Sequence, residues 1–255
     1  MSQPTPESPA RPSVWVCIPT YNERENLAAM AARLLGVFDD AGIDGHLLVI
    51  DDGSPDGTGE IADGLAATEP RIHVLHRTEK AGIGPAYRAG FRHAIAEGAD
   101  LIMEMDCDFS HDPAAVPSLV AAAGNADVVL GSRYVRGGGV EDWGLLRRII
   151  SRGGSLYAQV ILGVHVRDLT GGFKCFRREV LEALPLDQVG SAGYVFQIEM
   201  TYRAILQGFR VVEVPIRFTD RAEGTSKMSK AIVLEAITHV PKLRWQLGRR
   251  HKRWG

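Results

Sequence analysis

From Val14 onward, short apolar runs alternate with longer amphipathic stretches. The runs are VWVCI (14–18), HLLVID (46–51), RIHVLH (71–76), DLIMEM (100–105) and DVVLGS (127–132). Between them lie 23–38, 56–67, 83–97 and 113–123, whose apolar positions recur every three or four residues. A short, nearly continuous apolar run is a strand buried on both faces, and the 3.6 period is a helix with one stripe facing the core. Four successive strand–helix units predict an α/β fold, a mostly parallel central sheet with helices on both faces. Ligands of such sheets sit at the carboxyl ends of the strands.

Past Arg133 the pattern changes. A glycine-rich loop (Gly137, Gly138, Gly139) leads into an amphipathic stretch at 145–162, the turn DLTGGF (168–173), a helix at 194–207 and a strand over VVEVPIRF (211–218). In 230–247, Ile232, Val233, Ala236, Ile237, Val240, Leu243 and Leu247 fall on one helical face. The expected organisation is a flexible leader (1–13), a folded domain (14–229) and a C-terminal amphipathic helix with a basic tail (230–255).

Charge changes this picture in one place. The 255 residues sum to −2, yet Arg217 to Gly255 hold ten Lys or Arg against three Asp or Glu, leaving a basic tail on an acidic body. Such a tail fits an anionic partner such as a membrane surface or a nucleic acid, or a merely solvated helix face. The leader has four prolines in thirteen residues and no apolar core, so no signal peptide is expected. No run of about eighteen apolar residues predicts a transmembrane helix. Cys17, Cys107 and Cys175 are scattered without zinc or disulfide spacing and read as reduced, buried hydrophobes.

Polar clusters stand at three strand ends: Pro19-Thr20-Tyr21-Asn22-Glu23, the run from Asp51 to Thr58, and Asp106-Cys107-Asp108-Phe109-Ser110. Each alone is compatible with turn or cap chemistry. Asp106 and Asp108 say more, because positions i and i+2 of an extended segment project to one side. Two converging carboxylates repel unless a cation intervenes, and hard Mg²⁺ or Mn²⁺ suits them, with phosphate oxygens and water completing the shell. Asp108 as a helix cap before Pro113 is the competing explanation. Gly82-x-Gly84 is too short for a dinucleotide fingerprint and lacks its acidic ribose partner.

PTYNE, DDGSPDGT, DCDFSHDP and DLTGGFKCFRR, in this order and spacing, resemble the family 2 GT-A glycosyltransferases, and among them those that transfer mannose to a dolichyl-type polyprenyl phosphate. The resemblance spans residues 14 to 230. It implies the GT-A fold, a Rossmann-like nucleotide-binding half joined to an acceptor-binding half, and inverting transfer from GDP-mannose to a polyprenyl monophosphate. It also implies a divalent metal, Mg²⁺ or Mn²⁺, on Asp106 and Asp108 with Ser110 near its shell. Pro19, Tyr21, Glu23, Asp52, Lys80 and Asp106 would bind the nucleotide sugar. Arg133, Arg147, Ser151, Arg221, Ser226 and Lys227 would bind the acceptor phosphate, with Asp106, Asp108, Arg133 and Arg147 carrying the reaction. Whether Arg147 or its neighbour Arg148 points inward stays open.

A phosphate monoester is largely dianionic at pH 7, so the attacking oxygen needs no general base, and Glu199 is expected to orient structure instead. The lipid acceptor gives 145–162 and the basic tail, with Trp245 and Trp254, an anionic bilayer to lie on, at the cytoplasmic face of a membrane. Attachment would be peripheral or through a separate integral membrane subunit, and nucleic acid is disfavoured for want of a reader motif. A UDP-glucose-dependent polyprenyl-phosphate glucosyltransferase and a non-catalytic sugar-nucleotide-binding subunit are the alternatives.

Overall fold

The protein is described by a computed structural model over residues 11–79, 81–141, 143–191, 193–219 and 230–251. Strands β1 (Ser13–Thr20), β2 (Asp44–Asp51), β3 (Ile72–His76), β4 (Leu101–Glu104) and β5 (Val128–Ser132) alternate with helices α1 (Leu27–Ala41), α2 (Thr58–Ala66), α3 (Ile83–Ala96) and α4 (Val116–Ala123). Then come β6 (Gly139–Val140), α5 (Leu145–Leu162), β7 (Lys174–Arg177), α6 (Arg178–Ala183), α7 (Tyr194–Leu206), β8 (Val211–Pro215), β9 (Arg217–Phe218) and α8 (Lys230–His251).

The main sheet has the order β3-β2-β1-β4-β7-β5-β8, parallel throughout except for β7. Alternation along β1 divides the core: Val14, Val16 and Ile18 pack with Leu34 and Phe38 of α1 on one face, while Trp15 and Cys17 pack with Tyr87 and Phe91 of α3 on the other. All three cysteines are buried and free, and burial pushes the Cys175 thiol up to about 12.

The structure departs from the pattern in three places. The segment 174–177 is an antiparallel strand wedged between β4 and β5, although it carries a fully buried lysine. Its lysine breaks the apolar run, and its partner Glu104 is supplied only by the cross-strand register. The expected strand 211–218 splits at Ile216: β8 pairs with β5, and β9 turns aside to pair with β6. The first helix begins at Leu27, because Glu23 to Asn26 form a turn closed by Asn26 N–H and Leu27 N–H on the Glu23 carbonyl.

Helix α8 packs on α5 and α7. Arg244 Nη1 donates to the Leu162 carbonyl (2.8 Å) at the end of α5, and the Tyr157 hydroxyl donates to the Ile237 carbonyl (2.9 Å). Pro241 lies inside α8. The leader before Arg11 and the tail beyond His251, including Trp254, lie outside the described residues.

On α3's face of the sheet, His46, His73 and His93 gather around Trp15, with His46 Nδ1 and His73 Nε2 3.1 Å apart. Burial, then the neighbouring imidazoles His46 and His93, hold His73 below the usual histidine range, against a weaker opposing pull from Glu97; Asp44 stands 3.8 Å from His46. The unfolded chain therefore takes up this proton at higher pH than the native one, so stability is full above about pH 6.5 and declines below it. The melting temperature is expected to fall from pH 7.5 to 5.5, and His73→Gln should flatten that fall; an equal slope in both proteins would refute the assignment.

Candidate active site

The strand ends of β1, β2 and β4 open onto one cavity of about 700 Å³ whose opposite wall is α5. Two loops are laced together at the ends of β1 and β2. Asn22 N–H donates to Ser54 Oγ, Glu23 N–H to Thr58 Oγ1 and Arg24 N–H to Asp56 Oδ2. Asp51 anchors the second loop by accepting from Ser54 Oγ (2.5 Å) and Ser54 N–H. Desolvation pulls the Asp56 carboxyl up, but hydrogen bonds from Thr58 and from the Arg24 and Asp56 N–H groups together hold it below its ordinary range. Asn22 sits at φ 59° and Gly57 at φ 90°, so the turn chemistry of these motifs is real as well.

Pro19, Tyr21, Glu23 and Asp52 all line the cavity. The Asp52 carboxylate accepts from Arg77 Nη1 at 2.6 Å, a pairing the sequence does not announce. Lys80 lies outside the described residues.

Asp106 and Asp108 also line the cavity, each half-buried and flanking buried Cys107, as the alternation requires. They stand just past β4, and Phe109 beyond them turns the chain at φ 58°. Asp108 is not the helix cap: Asp112 holds that place, accepting from Ala114 N–H. Ser110 lies behind the cavity wall, where its N–H donates to Asp108 Oδ1 (3.1 Å). His111, absent from the sequence-based set, lines the cavity; its Nδ1 accepts from Asp106 N–H, and burial holds it below the usual histidine range. Among the described residues no three His, Cys, Asp or Glu side chains group as a complete metal shell. Two carboxylates alone fit Mg²⁺ or Mn²⁺, which takes few protein ligands and fills the rest with phosphate oxygens and water.

On the far side Arg133 is buried, and its guanidinium fork closes on Asp168: Nε to Oδ2 at 2.7 Å, Nη2 to Oδ1 at 2.6 Å. Glu213 of β8 holds the N–H groups of Arg167 and Asp168, and Thr170 Oγ1 accepts from Arg133 Nη2 (3.0 Å), so DLTGG is the brace of Arg133. Arg147 points inward and lines the cavity, while Arg148 is exposed and reaches the Val140 carbonyl. Ser151, one turn on, lines it too and accepts from the Tyr134 hydroxyl (2.7 Å). Arg221, Ser226 and Lys227 lie outside the described residues. Glu199 stays off the wall, its carboxylate bound by Ser191 Oγ (2.6 Å) and Arg203. The helix offers Gln197 and Ile198 to the cavity instead.

Of the α5 side chains that make it amphipathic, Leu145, Ile149, Ile150, Leu156 and Val160 are exposed, and Tyr157 and Ile161 half-buried. Ile237 and Trp245 of α8 are exposed as well. No helix among the described residues is long and apolar enough to cross a membrane.

A carboxylate-rich strand edge facing a cationic wall across one cavity, in this α/β topology, fits a GT-A glycosyltransferase. The chain belongs to glycosyl transferase family 2, whose model matches residues 15–184. It is 48% identical over 237 residues to the undecaprenyl-phosphate mannosyltransferase of Micrococcus luteus, covering 93% of this chain and 95% of that one. It is 49% identical over 227 residues to the polyprenol monophosphomannose synthase of Mycolicibacterium smegmatis, covering 88% and 84%. The crystal structure of glucosyl-3-phosphoglycerate synthase from Mycobacterium tuberculosis with Mn²⁺, UDP-glucose and phosphoglyceric acid shares its fold: TM-score 0.66, 20% identity, 91% of this chain and 79% of that one.

Proposed function

We propose that this glycosyltransferase moves mannose from GDP-mannose to a polyprenyl monophosphate with inversion at the anomeric carbon. The observation that carries the reading is the single cavity joining Asp52, Asp106 and Asp108 to Arg133, Arg147 and Ser151. The names of the two relatives support mannose and a polyprenyl phosphate. A carboxylate held like Asp52 suits a guanine edge, which offers neighbouring N–H donors.

The chain's own groups do the following. Asp106 and Asp108 hold the divalent ion, which supplies charge compensation for the departing diphosphate. Arg147, braced Arg133 and Ser151 hold the acceptor phosphate, and the closeness of two anionic reactants is the main catalytic contribution. No side chain need take a proton from an oxygen that is already ionised.

The exposed apolar row of α5 lies beside this phosphate site and suits a bilayer from which the lipid is drawn. Ile237 and Trp245 of α8 add exposed apolar surface, and a basic tail favours anionic lipid. Ile149→Glu with Val160→Glu should cut binding to anionic vesicles at least tenfold while leaving GDP binding unchanged; retained vesicle binding would remove α5 from the interface.

Gly153 and Gly154 line the cavity within α5, and a Cβ at either meets no protein atom within 4 Å. Each glycine costs an interior helix about 1 kcal/mol relative to alanine, so protein packing does not explain the pair. Space for the acceptor chain beside its phosphate does. Gly154→Ala should raise the melting temperature while increasing the acceptor KM several-fold; a gain in both stability and acceptor affinity would contradict the reading.

The test of the whole proposal is transfer of labelled sugar from GDP-mannose, and separately UDP-glucose, to a short-chain polyprenyl phosphate with Mg²⁺ or EDTA. Product from GDP-mannose alone, abolished by EDTA, is the expected result. Product from UDP-glucose alone would reassign the donor, and none from either, with GDP bound, would favour a binding subunit.

A further inference from the structure

Trp143 stands outside every motif, yet the cavity is built around it. It is 6% exposed and lines the acceptor side. The Arg147 guanidinium carbon lies 4.2 Å from its ring centroid and that of Arg133 5.5 Å. Phe218 meets it edge-on at 5.3 Å, fixing the plane of the indole.

The indole N–H is buried and has no hydrogen-bond partner among the described residues. An orphaned donor is costly, so this residue is not kept for its hydrogen bond, and an aliphatic side chain would fill the space without that penalty. What tryptophan adds is the most electron-rich face of any side chain, which attracts a guanidinium without neutralising it. Arg133 is oriented by the Asp168 carboxylate, whereas the Trp143 ring lies against the Arg147 guanidinium and orients it from its face.

We propose that Trp143 is a positioning residue for the acceptor phosphate, a platform on which Arg147 is held in its working orientation. The proposal rests on the acceptor site described under Proposed function. It concerns orientation, so its signature is a change in acceptor KM with donor binding intact.

The experiment is a double-mutant cycle of Trp143→Leu and Arg147→Ala in the full chain, reading acceptor KM, kcat, the dissociation constant for GDP with Mg²⁺, and melting temperature. Trp143→Leu should raise acceptor KM about tenfold, the size of a desolvated cation–π contact, with GDP affinity unchanged. Trp143→Phe should recover part of the loss, and Trp143→Leu should cost nothing further once Arg147 is alanine. If Trp143→Leu does not fold, Trp143→Met takes its place in the cycle. An unchanged KM in the Trp143 variants, or a fully additive loss in the double variant, overturns the proposal alone. An unchanged KM in Arg147→Ala overturns the acceptor-site reading and the proposal with it.

Discussion

Asp108→Ala is expected to abolish turnover, by about a thousandfold or more, while the protein remains folded. Asp108 lies half-buried on the cavity wall with Asp106, and its side chain accepts from Ser110 N–H within its own loop. The carboxylate pair concentrates negative charge where a diphosphate must also arrive, an arrangement that only a divalent cation makes favourable. Under the proposed function, losing one of the two carboxylates that would hold the ion weakens its binding and with it the stabilisation of the departing diphosphate, several kcal/mol in total. The check is transfer rate together with calorimetric titration of GDP in Mn²⁺: both should fall, and adding excess Mn²⁺ should restore little of the rate. Activity within tenfold of the parent would remove Asp108 from the metal site.

The second large effect is on stability. Asp168→Ala removes the carboxylate that closes on the buried fork of Arg133 and also frees Thr170 from its acceptor. Breaking one partner of a buried, bidentate ion pair removes two charge-assisted hydrogen bonds from a desolvated cation, and the expected loss is about 3–5 kcal/mol. Urea denaturation of Asp168→Ala should show that shift with an unchanged m-value. The paired replacement Asp168→Leu with Arg133→Met should recover much of it, because the desolvation cost of both charges disappears together. That double variant should nonetheless stay poor in acceptor use, which separates the stability role of the pair from the role of its charge at the cavity. A loss under 1 kcal/mol in Asp168→Ala would mean that solvent reaches Arg133.

The parallel part of the sheet was readable because strands buried on both faces leave runs such as VWVCI and HLLVID, and the helix at 145–162 because apolar pairs at 145/146, 149/150, 156/157 and 160/161 keep one face despite the glycines between them. β7 was not readable. Lys174 interrupts its run, and its Nζ is satisfied by the carbonyl and side chain of Gln197 on α7, far away in sequence. Burial pushes Lys174 down to about 8 and Glu104 up to about 7, so this strand's polarity makes sense only against its cross-strand neighbour. The same division runs through the site. Asp52, Asp106 and Asp108 announce themselves because they follow apolar runs, whereas Arg77, His111, Trp143 and Asp168 acquire meaning only through chains that pass close by. His111 had a signal within DCDFSHDP, and Asp168 within DLTGGF, but neither motif says which side chain it serves.

Pro241 and Tyr157 belong to one account. A proline at position 241 has no N–H for the carbonyl one turn earlier, and that carbonyl belongs to Ile237. The Tyr157 hydroxyl of α5 supplies the missing proton donor from outside the helix. Sliding α8 by one turn along α5 would strand both groups, so the bond acts as an index mark that admits one axial setting. Tyr157, Ile237 and Val240 all face the cavity, so the gap left by an imino acid sets the height of that chamber.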